Sequence, residues 1–179
     1  MQGKIALLSM LLILGAINWS IFGKEKHLSE GAIVYLQLAP VDPRSLMQGD
    51  YMALRFGIGD QVYRALPKSE NSSRWRRNTA GPDGLVVVAL DEKNIATYQR
   101  IHNDQQPLSA NEMLLKYRVR NGVVKFATNA FFFQEGQARV YQLARYGKFR
   151  VDNTGDLLLA AMYDKDLNML EPETATKFQ

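Results

Sequence analysis

Hydrophobic and polar positions divide this chain into two regimes. Residues 5–23 (IALLSMLLILGAINWSIFG) carry no charge. Nineteen residues at about 1.5 Å each make roughly 28 Å of helix, close to the thickness of a bilayer's hydrocarbon core. Beyond Lys24 and Lys26 the pattern becomes short apolar runs separated by Gly, Pro, Asn and Asp. That is the pattern of a sheet protein.

The apolar start reads as a retained signal anchor rather than a cleaved signal peptide. A cleavable signal has a shorter core and small residues at its cut site, whereas Gly15-Ala16 lies inside this run. Trp19 and Phe22, followed by Lys24, match an interfacial aromatic-and-basic belt. Lys4 on one side balances Lys24 and Lys26 on the other, so charge alone sets no orientation. The short segment before the run favours export of the C-terminal domain. The expected arrangement is single-pass in a bacterial inner membrane, with 1–4 cytoplasmic and the soluble part periplasmic. The expected organisation is 1–27 for tail, anchor and juxtamembrane segment, 28–170 for a β-rich extracytoplasmic domain, and 171–179 for a loose tail.

Within the domain, 32–39 (AIVYLQLA) and 51–56 (YMALRF) read as strands, the latter with Met52, Leu54 and Phe56 on one face. Residues 57–60 (GIGD) read as a turn, with 61–66 pairing back. Residues 84–90 (GLVVVAL) and 95–101 flank a turn at 91–94. Asn121-Gly122 is the strongest hairpin signal, between 114–120 and 123–129, with 130–133 extending the second strand. Residues 137–146 shift to a helical period, with Gly147 placed as a helix stop. A last hairpin joins 149–151 to 157–163. Nine or ten short strands and one short helix, without βαβ alternation, predict a mainly β fold. The expected form is an antiparallel β-sandwich or partly closed barrel behind an N-terminal transmembrane helix.

Composition removes several function classes. Twenty-two basic and 18 acidic residues leave a net charge of +4, scattered apart from Arg74, Arg76 and Arg77 around Trp75. That cluster reads as a solvated loop, and nucleic acid is not expected as a partner. The absence of cysteine removes disulfides, thiolate metal sites and a lipoprotein anchor. His27 and His102 read as solvated. No metalloprotease, nucleophile-elbow or phosphate-loop motif is present. No catalytic residue, cofactor or metal is expected.

The densest motif is 40–56, PVDPRSLMQGDYMALRF. Asp42 can cap a turn started by Pro43, Arg44 can pair with Asp50, and Gly49 can supply a positive-φ corner. Such a corner is either structural or the grip for a partner. Glu135, between an aromatic strand and the expected helix, either caps that helix or reaches the Arg44–Asp50 corner.

Residues 49–56, GDYMALRF, resemble the signature of the GDYXXLXY domain family, with Phe56 in place of the final tyrosine. The preceding 40–44 (PVDPR) and the later 131–136 (FFFQEG) are also similar to that family's pattern. The resemblance implies a membrane-associated bacterial or archaeal protein with no established activity, found alongside multi-pass membrane proteins. It singles out Asp42, Arg44, Gly49, Asp50, Tyr51 and Glu135 as motif or binding residues. A weaker echo of type I signal peptidases puts Val41 at their nucleophile position, so that chemistry is absent. The expected function is a non-catalytic accessory or scaffold subunit, with the bilayer and a multi-pass membrane protein as partners. The competing class is a membrane-tethered hydrolase using Asp50 and Glu135.

Overall fold

The computed structural model describes residues 2–39, 47–48, 51–66, 83–103, 105–128 and 130–172. Among the described residues a long helix α1 (Gln2–Glu30) leads into ten strands. These are β1 (Ala32–Gln37), β2 (Met47–Gln48), β3 (Tyr51–Ala53), β4 (Gly84–Leu90), β5 (Ala96–Ile101), β6 (Glu112–Arg120), β7 (Val123–Lys125), β8 (Ala130–Phe132), β9 (Tyr146–Val151) and β10 (Leu157–Tyr163). Among the described residues two further helices, α2 (Gly57–Ala65) and α3 (Ala138–Tyr141), interrupt them. Every pairing between named strands is antiparallel.

Three sheets form, in the orders β1-β9-β10, β2-β3-β8 and β5-β4-β6-β7. They roll into a curled half-barrel. A single parallel bridge, Tyr35 to Ile95, joins the first sheet to the third. An antiparallel bridge, Leu38 to Phe56, joins the residue after β1 to the segment that follows β3. From the other side, the Lys116 N–H of β6 donates to the Gly155 carbonyl in the β9–β10 turn at 2.8 Å. Register shifts at Val87/Val88 and Leu159/Ala161 supply curvature. The concave side is filled by Val34, Leu36, Val86, Val88, Leu115, Phe149 and Met162, all completely buried.

The expected mainly β, antiparallel, partly closed architecture is present. The Asn121-Gly122 hairpin is where it was predicted, with φ of 54° and 72° at its two central residues, as this turn demands. Three local expectations fail. Residues 57–66 are not a turn and strand but helix α2. Ile58, Val62 and Leu66 recur every four residues and face the core, and that period outweighs the two glycines. Gly59 is the close-approach point, since a Cβ there would lie 3.4 Å from the Val124 carbonyl. Residues 130–132 do not extend β7. Ala127 turns to a φ of 47°, and the chain crosses to pair with β3. The predicted helix over 137–146 shrinks to α3, and Gly147 is not its stop but a residue inside β9.

Between Leu7 and Phe22 the described side chains of helix α1 are mostly apolar and exposed, with Ser9, Asn18 and Ser20 among them. Leu7, Met10, Leu12, Ile13, Ile17, Ile21 and Phe22 are all exposed, Leu12 by 67%. Its described side chains omit Ile5, Ala6 and Leu8. Among the described residues no helix is long and apolar enough to cross a membrane.

Gly147 sits opposite Leu36 and Met162. A Cβ there would come within 3.0 Å of Phe149, 3.2 Å of Leu159 and 3.4 Å of Phe56. Overpacking at such a point costs about 1–3 kcal/mol. Gly147→Ala is expected to lower unfolding stability by that amount in denaturant titration. A helix-stop glycine at an exposed end would produce no such clash, so an unchanged midpoint would refute the core placement.

Candidate functional site

The two stretches that resemble family motifs lie about eighty positions apart and become neighbouring strands. Tyr51 pairs with Phe132, Met52 with Phe131 and Ala53 with Ala130. On the other edge of β3, Met47 pairs with Met52 and Gln48 with Tyr51. Strand alternation sends Met52, Leu54 and Phe56 into the core at 5% exposure or less. It sends Tyr51 outward, where its ring lies 5.7 Å from that of Phe132, itself 73% exposed. Behind this pair, Phe131, Phe133 and Tyr141 form a second aromatic group, with centroids 4.9–6.4 Å apart. Burial pushes the Tyr141 phenol up from its usual value.

Phe56, the position where the family signature carries tyrosine, is packed edge-on against Phe126 and Phe149 at 6.3 and 5.4 Å. The surroundings are apolar, which suits a ring without a hydroxyl. Arg55 points outward and pairs with Asp60 of α2 at 3.0 Å.

Of the singled-out residues, Asp42, Arg44, Gly49 and Asp50 lie outside the described residues, as does the cluster 74–77. Glu135 is exposed, in the turn that Gly136 makes with a φ of 84°. It does not cap α3. Gln137 holds the N-cap position, with no side-chain capping bond. A four-residue helix ending in an exposed turn has little dipole to offer a carboxylate.

A second assembly lies where α1 meets the sheet. The His27 ring Nε2 donates to the Arg150 carbonyl at 2.9 Å, and the Arg150 guanidinium donates back to the Gly31 carbonyl at 2.9 Å. His27 is therefore a joint between helix and β9, not a solvated residue. Beside it opens a cavity of about 940 Å³, lined by Trp19, Gly23 and Lys24 of α1 and by Glu112, Asp152, Asn153, Gly155 and Asp156 opposite. A second, of about 550 Å³, is lined by Lys24, His27, Lys116 and Arg118 and by the carboxylates Asp83 and Asp156. Phe22, the other expected belt residue, is 64% exposed.

The acids here are answered locally. Glu112 pairs with Arg100, Asp156 with Lys116 at 3.0 Å, and Asp83 with Arg120 at 2.6 Å. The Asp83 and Glu112 carboxyls are held below the usual range, chiefly by their arginine partners. Asp152 organises the β9–β10 turn, accepting from the Thr154 N–H, the Thr154 hydroxyl and the Asp156 N–H at 2.7–2.9 Å. Burial pushes its carboxyl up, but these bonds and the charge of His27 more than compensate, and it ends below the usual range. Among the described residues no group of three His, Asp or Glu side chains is placed to hold a metal. Sequence reasoning missed this junction. Its signals are the 152–156 (DNTGD) turn and the alternating cations Lys116, Arg118 and Arg120.

A curled, antiparallel β-domain carried behind a long apolar helix, with two aromatic motifs paired on one small sheet, defines the class. The family model for the GDYXXLXY protein matches residues 13–162, so the chain belongs to the GDYXXLXY family. No curated protein and no solved structure matches the chain.

This geometry sets two expected outcomes. Phe56→Tyr would bury a hydroxyl among phenyl rings and is expected to cost about 1–3 kcal/mol. A stability equal to wild type in thermal melting would mean that the pocket holds an acceptor for it. For Asp152, a depressed carboxyl contributes stability that is present above the ordinary carboxylate range and is lost as pH falls through the depressed value. Asp152→Ala is therefore expected to melt below wild type near neutrality. The gap should narrow steadily below about pH 4. A gap that stays constant down to strong acid would exclude the charged-turn account.

Proposed function

We propose that this protein is a membrane-tethered, non-catalytic accessory or scaffold subunit, with α1 as its transmembrane anchor and the β-domain as the part that engages an integral membrane partner. The observation that carries the reading is α1 itself. Over residues 5–23 the sequence has no charge, and the described side chains in that stretch are exposed all round the helix. A helix without a polar face needs an apolar surrounding. The joint at His27 and Arg150 lies just past the uncharged run, so the β-domain begins where a bilayer would end. The proposed orientation sends the domain out of the cytoplasm across a bacterial inner membrane.

The partner surface in this reading is the outward face of the β3–β8 pair. Half-buried Tyr51 and exposed Phe132 form an aromatic pair across two neighbouring strands, one from each family motif, and surface aromatics of this kind are enriched where proteins meet.

Two measurements test the proposal. A C-terminal alkaline phosphatase fusion should be active and remain with membranes after alkaline carbonate washing. An inactive fusion, or one released by the wash, would overturn the anchor or its orientation. Purification in gentle detergent should recover an integral membrane protein with the wild-type chain. Phe132→Ser should keep the fold and lose the partner. Equal recovery from both would remove the aromatic pair as the docking surface.

A further inference from the structure

Strand alternation puts Lys116, Arg118 and Arg120 on the outer face of β6, while Leu115, Tyr117 and Val119 face the core. Successive outward residues stand about 6.6 Å apart. On β7, Lys125 is directly opposite Arg118. Like charges in that relation repel and cost stability unless a counter-charge sits between them. Arg55, from the family motif, adds to the repulsion. Burial first, and Arg55 second, hold the Lys125 ammonium below its usual range.

The acids nearby do not balance this face. Asp156 is taken by Lys116 and Asp83 by Arg120. Arg118 bonds only a carbonyl, that of Ala127 at 2.7 Å, and among the described residues Lys125 has no ion pair. Lys24 is likewise unpaired among the described residues. It follows the uncharged run by one position and lines the same 550 Å³ cavity as Lys116 and Arg118. Lys24, Arg118 and Lys125 are thus uncompensated by any acid among the described residues, beginning where α1 would leave a bilayer and continuing along β6 and β7, with Lys116 and its partner Asp156 beside them.

We propose that Lys24, Lys116, Arg118 and Lys125 form a docking strip for the phosphates of anionic phospholipid headgroups, laying the outer face of the β6–β7 hairpin against the membrane that α1 enters. This rests on the anchor reading of α1. Charge complementarity carries it, since juxtamembrane cations gain from an anionic surface that falls off within a Debye length. The strip also sets the tilt of the domain, because Lys24 at the end of the uncharged run and Lys125 on β7 would rest on the same surface. Lys165, which follows β10 in the separate β1-β9-β10 sheet, lies outside the strip and serves as the reference lysine.

Lysine acetylation rates, read by mass spectrometry on full-length protein, test this. The protein is placed in nanodiscs of phosphatidylcholine alone, or of phosphatidylcholine with phosphatidylglycerol. Lys116 and Lys125 are expected to react about fivefold more slowly in the anionic discs at low salt, with Lys165 unchanged and the difference erased by high salt. In Arg118→Gln the protection at Lys116 and Lys125 should fall by about half or more. If that variant unfolds, the wild-type lipid comparison decides alone. Equal rates in the two discs, or equal slowing at Lys165, would overturn the strip. The same slowing produced by inorganic phosphate in phosphatidylcholine discs would overturn the lipid assignment and make the strip a site for a soluble anion. Flotation separates this from the anchor reading. Loss from neutral vesicles with salt-sensitive, Arg118-dependent binding to anionic ones would refute the anchor and support the strip. Binding to neither would refute both.

Discussion

Both edges of β1 are hydrogen-bonded, and the rest of the structure depends on that. Along one edge it pairs with β9 from Ala32 through Gln37. Along the other, the Tyr35 N–H donates to the Asn94 carbonyl at 2.9 Å, and the Ala39 N–H donates to the Arg55 carbonyl at 2.8 Å. One short strand therefore holds the β9–β10 hairpin, the start of β5 and the end of the motif segment together. Its inward residues, Val34 and Leu36, are fully buried. A strand hydrogen-bonded along both edges, with its inward side chains buried, is held in one register.

That constraint also transmits the position of α1. The helix ends one residue before β1 begins, so the exit direction of α1 is coupled to the strand that organises the sheets. The His27 and Arg150 bonds across to β9 make the coupling two-point rather than a swivel. A tethered domain built this way presents a defined face to whatever lies around the helix. The cavities beside the joint are the space left between a helix leaving the sheet and the β9–β10 turn that Asp152 holds in shape.

The two family motifs serve packing and surface together. Inward, Met52, Leu54 and Phe56 supply core on one side of β3, and Phe56 links that core to Phe126 and Phe149. Outward, the same strand displays Tyr51 and Arg55. A dipeptide period of two gives each residue one of these duties and not the other. The motif is thus a strand whose faces are separately constrained, and nothing in its described part resembles a reacting centre.

Much of the fold was legible from local pattern. The apolar run, the β4 and β5 strands, the Asn121-Gly122 hairpin and the β9–β10 hairpin follow from alternation and turn chemistry acting over a few residues. The misreadings occurred where distant residues decide. Two glycines suggested a turn at 57–60, but Ile58 and Val62 had a core to face only once β5 and β7 were in place. Residues 130–132 could extend one strand or join another, and the choice depended on β3, about eighty positions away. Gly147 seemed to end a helix because two of the side chains that exclude a Cβ there, Phe56 and Leu159, come from other parts of the chain. The candidate site divides in the same way. Sequence by itself identified the motif strand, the aromatic run and the family they indicate. Only tertiary structure paired those two segments, turned His27 into a joint and lined up cations from α1, β6 and β7. Charge and hydrogen bonding act through space, and residues far apart in the chain carry no mark of sharing it.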